Sequence, residues 1–153
     1  MHTQKFITRL CKDYNNDGGL TKEFYNFIKS YSQKPDKGSI SPSSLKSEIG
    51  RKFPKFSGYS QQDSQEFLRV FIEGIGKEMN RVKNIPKYKE LDTKDKTKSQ
   101  QNEEFHNLFI KRENSVVIDT FYGQTCNSFR CECGFESYAF EKFLDLPLLL
   151  SKS

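Results

Sequence analysis

The sequence predicts an α+β chain, helical over its first half and stranded towards its end. Three observations carry that class. Apolar residues recur at helical spacing as far as Met79, Val116-Val117-Ile118 opens a β-branched region, and side chains alternate in character from Tyr138 to Leu146. At 153 residues the chain fits one domain or a large part of a bigger one. Its hydrophobic fraction is 34%, and 14 Phe and 7 Tyr with no Trp supply most of the large apolar area.

Phe6, Ile7, Leu10, Cys11 and Tyr14 predict an amphipathic helix over residues 3–14, with Cys11 on its buried face. Asn15-Asn16-Asp17-Gly18-Gly19 breaks it. Leu20, Phe24, Phe27, Ile28 and Tyr31 form a second helical stripe, followed by a polar loop with Pro35 and Gly38. Ser41 suits an N-cap with Pro42 at the first helical position; Leu45 and Ile49 face inwards, and Gly50 is expected to end that helix.

Residues 51–59 read as an extended connector anchored by Phe53, Phe56 and Tyr59. Ser60 is the expected cap of a longer helix whose buried face is Phe67, Leu68, Phe71, Ile72, Ile75 and Met79, an arc of roughly 140°. Asp63 and Glu66, three residues apart, fall together at one side of that arc. The stretch 83–104 reads as a mobile polar linker, after which Phe105, Leu108 and Phe109 suggest a short helix. Strands are then expected from Val116 through Phe129 and on to Leu146.

The formal charge is +5, yet the lysines of the polar stretch are diluted by Glu90, Asp92 and Asp95 and alternate with no aromatic ring. No nucleic-acid partner is expected. The apolar run Leu146 to Leu150 is too short to span a bilayer, so no membrane partner is expected either. Cys11, Cys126, Cys131 and Cys133 are too few and too irregular for a secreted disulfide framework, and a soluble protein of the cytoplasm or nucleus is anticipated.

Tyr59-Ser60-Gln61-Gln62-Asp63-Ser64-Gln65-Glu66-Phe67-Leu68 resembles the Q-Q-D-x-Q-E-F-L box of the ubiquitin-specific proteases. Lys111-Arg112-Glu113-Asn114-Ser115 with Val117 to Gln124, and then Cys131-Glu132-Cys133-Gly134 through Leu146, are similar to two later segments of that family, in the same order. The resemblance implies a partial papain-like domain: thumb helices over 1–80, a polar insertion over 81–104, and fingers and palm strands over 105–153. It implies hydrolysis after the C-terminal glycine of ubiquitin, with ubiquitin and ubiquitinated proteins as partners. Asp63 and Glu66 are then the acids that would grip the arginines of ubiquitin's tail, with Gln62 and Gln65 as weaker amide partners. Carboxylates suit that task because each can accept an arginine fork in charge-assisted hydrogen bonds. Helix capping and compensation of the helix dipole would favour the same acids without any ligand.

The family's nucleophile sits in a G-N-x-C box and its histidine in a G-H-Y context; neither motif occurs here. Thiol proteolysis needs both groups, plus an orienting Asp or Asn. His2 and His106 are therefore given no catalytic role, and both catalytic boxes are expected outside the chain. A structural zinc is common in the family's fingers. Cys131 and Cys133 would be half a site at most, at a spacing one residue too short. A non-catalytic ubiquitin-binding module is the second reading, and a basic zinc-ribbon nucleic-acid binder the remote one.

Overall fold

A computed structural model describes residues 2–15, 18–33, 39–146 and 148. The expected turn residues Asn16 and Asp17, the loop residues Pro35 and Gly38, and the terminal residues from Leu149 lie outside this set. The class is α+β. The described elements run α1 (His2–Asp13), α2 (Gly19–Gln33), α3 (Ser43–Lys52), a 3₁₀ turn (Pro54–Phe56), α4 (Ser64–Glu78), α5 (Lys98–Ile110), α6 (Val116–Phe121), β1 (Gly123–Arg130) and β2 (Glu136–Phe143). They divide into two compact units, residues 1–81 with 115–120, and residues 82–114 with 121–153. No described helix is long and apolar enough to cross a membrane.

The first unit closes around Phe6 and Leu10 of α1, Leu20 of α2, Ile49 of α3, Phe56, Ile72 and Ile75 of α4, and Val116 and Val117 of α6. Aromatic rings stitch the helices together. Phe24 meets Phe71 edge-on at 5.1 Å, Phe71 stacks on Phe67 at 5.8 Å, and Phe67 meets Phe56 edge-on at 5.4 Å. Such pairs add about 0.5–1.5 kcal/mol beyond the area they bury. On α1 the buried stripe is Phe6 and Leu10, and Tyr14 stacks on Tyr25 at 4.5 Å. Cys11, expected in the core, is exposed. It follows Leu10 by one residue, and the roughly 100° turn per residue carries it off that stripe.

Helix α3 departs from expectation at both ends. Pro42 occupies the cap position, no side chain caps it, and the Ser41 hydroxyl only accepts a long 3.4 Å bond from the Ser43 amide. Gly50 is a helix-interior residue, because α3 continues to Lys52. A Cβ on Gly50 would lie 2.9 Å from the Ser57 Cα, so glycine serves a close backbone approach here. The connector that follows is a 3₁₀ turn with Phe56 buried, whereas Tyr59 is 99% exposed and anchors nothing in the core.

Helix α4 is capped by Asp63, not by Ser60: the Asp63 carboxylate accepts from the Glu66 amide at 2.8 Å. Leu68, assigned to the buried face, is 54% exposed. It shares a helix face with the buried Ile72 and Ile75 but stands nearer the N-terminal end of α4.

The β-branched run Val116-Val117-Ile118 is helical, not the opening strand. Ser115 starts the helix, its hydroxyl accepting from the Ile118 amide at 3.3 Å, and Val116 and Val117 are each 1% exposed. Val117 packs beside Gly76 of α4, where a Cβ would sit at an ordinary contact distance of 3.4 Å. Burial against α4 outweighs a β-propensity that spans only about 1 kcal/mol.

In the second unit, α5 begins inside the stretch expected to be linker. Thr97 and Gln100 form a reciprocal capping box, Lys96 pairs with Asp92 at 3.0 Å and Glu104 at 2.5 Å, and buried Gln101 donates to the Lys96 carbonyl at 2.9 Å. These local bonds order a polar sequence that has no hydrophobic periodicity to announce a helix. β1 and β2 form an antiparallel hairpin, Gly123 opposite Phe143 and Arg130 opposite Glu136. Buried Phe140 faces Phe105 of α5 at 5.8 Å. The strand pairing ends at Phe143, so Leu144 and Leu146 lie beyond it.

Candidate functional site

The N-terminus of α4 gathers the sequence-predicted acids on the surface of the first unit. Asp63 is exposed in extended backbone, with φ −69° and ψ 125°, and its side chain turns back over the first helical turn. Glu66 follows in that turn, its side chain 43% exposed. Both negative charges therefore sit at the positive end of the helix dipole. Gln62 and Gln65 are exposed beside them. The structure thus places all four residues in one surface neighbourhood, and it also gives Asp63 the capping task.

One further residue belongs to this neighbourhood. Lys55, in the 3₁₀ turn, extends its ammonium to Glu66 Oε2 as an ion pair. Eleven residues separate the two, and the contact exists because Phe56 locks the turn against Phe67 of α4. No helical or strand periodicity links them, so pattern reasoning had no signal for it. Nearby, the Lys46 ammonium donates to the Gly58 carbonyl at 3.2 Å and lies 4.0 Å from the Tyr59 ring centroid.

Among the described residues, the thiols and the imidazole of His106 form no comparable assembly. Cys126, His106 and Asn102 line one open recess of about 450 Å³ in the second unit, with Tyr122, Gln124 and Lys142. In it Lys142 Nζ donates to His106 Nδ1 at 3.3 Å, and Gln124 Nε2 donates to Asn102 Oδ1 at 2.5 Å. His106 thus pairs with Lys142, and Asn102 with Gln124. Burial pushes the Lys142 amine below its ordinary value.

Cys131 and Cys133 lie in the turn between the strands, both exposed, with the Cys133 amide donating to Cys131 Sγ at 3.4 Å. Hydrogen bonding from Cys131 holds the Cys133 thiol below its ordinary value. Gly134, at φ +86°, lets the turn close, with its amide reaching the Cys131 carbonyl at 2.9 Å. Two thiols supply half of a tetrahedral set. Among the described residues no three His, Cys, Asp or Glu side chains gather to hold a metal ion, so the pair alone does not fit zinc.

Comparison with known proteins agrees with the box at the start of α4. The family model described as ubiquitin carboxyl-terminal hydrolase matches residues 1–149. The chain is 34% identical over 139 residues to ubiquitin carboxyl-terminal hydrolase 2 of Homo sapiens, which covers 90% of this chain and 23% of that protein. It is 39% identical over 135 residues to the Gallus gallus protein of the same name, covering 87% of this chain and 38% of that one. Ubiquitin carboxyl-terminal hydrolase 9 of Arabidopsis thaliana is 29% identical over 167 residues, covering 99% of this chain and 18% of the relative. The chain thus spans well under half the length of these relatives. Helices followed by an antiparallel hairpin, with a family match over almost the whole sequence, place it in the ubiquitin carboxyl-terminal hydrolase family, as part of a papain-like α+β domain.

Proposed function

We propose that this chain is part of a cysteine-type deubiquitinase of the cytoplasm or nucleus that hydrolyses the bond after the C-terminal glycine of ubiquitin. Its own contribution is scaffold and tail binding: Asp63 and Glu66 grip the tail's arginines, with Gln62 and Gln65 as amide partners. One observation carries this reading. Two carboxylates stand exposed together at the start of α4, within the box that resembles the family's tail-binding segment. An arginine fork accepted there gains charge-assisted hydrogen bonds of about 1.5–3 kcal/mol each.

None of the four cysteines is assigned as nucleophile. Cys11 lies on a helix surface, Cys131 and Cys133 share the exposed turn between β1 and β2, and the imidazole that lines a recess with Cys126 is paired with Lys142. The thiol and histidine of the reaction come, on this reading, from further sequence of the parent enzyme.

The test has two arms. Titrating the chain with labelled ubiquitin should show binding that Asp63→Ala weakens roughly tenfold or more; equal affinity of the variant would remove Asp63 from the site. Incubation of the chain with a ubiquitin–fluorophore conjugate should give no turnover. Release of the fluorophore, lost on Cys11→Ala or Cys126→Ala, would overturn the division of labour. Binding without turnover in the parent enzyme as well would favour the non-catalytic ubiquitin-binding module.

A further inference from the structure

We propose that Lys55 is a built-in competitor at the tail site, occupying Glu66 until an incoming arginine displaces it. This rests on the tail-binding reading above and adds a regulatory element to the same site. The Lys55 ammonium and the Glu66 carboxylate form an ion pair across the mouth of the α4 N-terminus, 54% and 43% exposed. A pair so exposed adds little to the stability of a fold, because water screens it and two flexible side chains must be held. The rigid elements around it do that structural work instead. Phe56 is buried and edge-on to Phe67, the Phe56 amide donates to the Phe53 carbonyl at 2.9 Å, and the Ser57 hydroxyl donates to the Pro54 carbonyl at 2.7 Å. Pro54 fixes the entry to the turn. The lysine stem therefore starts from a pinned backbone within reach of Glu66, and its effective concentration there is high.

The chemistry of the two cations decides the exchange. A lysine offers Glu66 a point charge, and an arginine offers a planar fork able to take both carboxylate oxygens. Lys55 fills the acid with the weaker kind of partner and leaves the stronger one able to replace it. A ligand sees only molecules in which Glu66 is open, so its apparent affinity falls by that fraction. For an exposed pair the fall is about two- to sixfold. Every cationic tail is weakened by the same factor. The lysine thus sets the threshold of the site, not its choice between tails.

The experiment measures fluorescence anisotropy of a labelled synthetic peptide ending Arg-Gly-Gly, titrated with the full 153-residue chain. Lys55→Met keeps the stem and removes the charge, and should tighten binding about two- to sixfold at low salt. In the Glu66→Gln background the same change should have no effect, since its competitor role needs the carboxylate. Lys22→Met, which removes a charge from α2, should leave binding unchanged. Unaltered or weaker binding by Lys55→Met would overturn the proposal. So would equal tightening in the Glu66→Gln background or by Lys22→Met. Failure of the underlying site looks different. If Asp63→Ala and Glu66→Gln leave the wild-type affinity intact, the tail site falls and Lys55 with it. If they weaken binding while Lys55→Met does nothing, the competitor alone is refuted.

Discussion

Glu78 Oε2 accepts hydrogen bonds from both the amide and the hydroxyl of Thr21, each at 2.8 Å. The last turn of α4 thereby caps the first turn of α2. The second oxygen receives the Leu20 amide at 3.3 Å and the Lys52 ammonium at the end of α3. One carboxylate ties three helices together at a point where Thr21 is fully buried.

Removing it should therefore destabilise the first unit, by about 2–3 kcal/mol for Glu78→Ala, since buried donors lose their acceptor. The effect should depend on pH. Burial pushes this carboxyl up, but the bonds from Lys52 and Thr21 outweigh that and hold it below the ordinary carboxylate range. An acid lowered on folding contributes fully above its unfolded value, about 4.3, and loses that contribution as pH falls through the lower folded value. Urea unfolding of wild type and Glu78→Gln should show a gap at pH 7 that narrows below pH ~4. A gap constant over that range would exclude the carboxylate as its source.

Gly50→Ala offers a second test, because two effects of opposite sign compete. Alanine favours a helix interior by about 1 kcal/mol. The added Cβ would lie 2.9 Å from the Ser57 Cα, and backbone cannot swing away as a side-chain tip could. Overpacking of about 1–3 kcal/mol should win, lowering the thermal midpoint. A more stable variant would mean that the 3₁₀ turn yields easily.

For α6 the start signal is Ser115. Its hydroxyl accepts the Ile118 amide, and the residue is 1% exposed. Ser115→Ala should lower stability by about 1 kcal/mol, and Ser115→Asp or Ser115→Asn should not rescue it fully, because the buried site fits only a small group. Chemical denaturation gives the comparison; an alanine variant as stable as wild type would deny the cap.

Asp63 can be divided into its two tasks. Asparagine caps a helix about as well as aspartate but carries no charge. Asp63→Asn should keep the unfolding midpoint and lose affinity for ubiquitin, while Asp63→Ala loses both, with about 0.5–2 kcal/mol of stability. Full binding by the asparagine variant would leave the residue as a cap only.

Periodicity by itself located α1, α2 and α4, and the Gln-Gln-Asp box pointed to the family, because those signals are local: spacing along one helix and residue types within ten positions. Asp63 and Glu66 lie within that same local box, three residues apart. What only the tertiary structure decided involves partners distant in sequence. Val116-Val117-Ile118 became a helix because it buries Val116 and Val117 in the first unit, Val117 beside Gly76 of α4. Gly50 stayed inside α3 because Ser57 passes close by. Cys11 reached the surface because Leu10 already fills the core stripe. Lys55 met Glu66 because two phenylalanines lock a turn onto a helix eleven residues later in the chain. Local sequence sets which structures a segment can form, and the packing free energy of distant segments chooses among them.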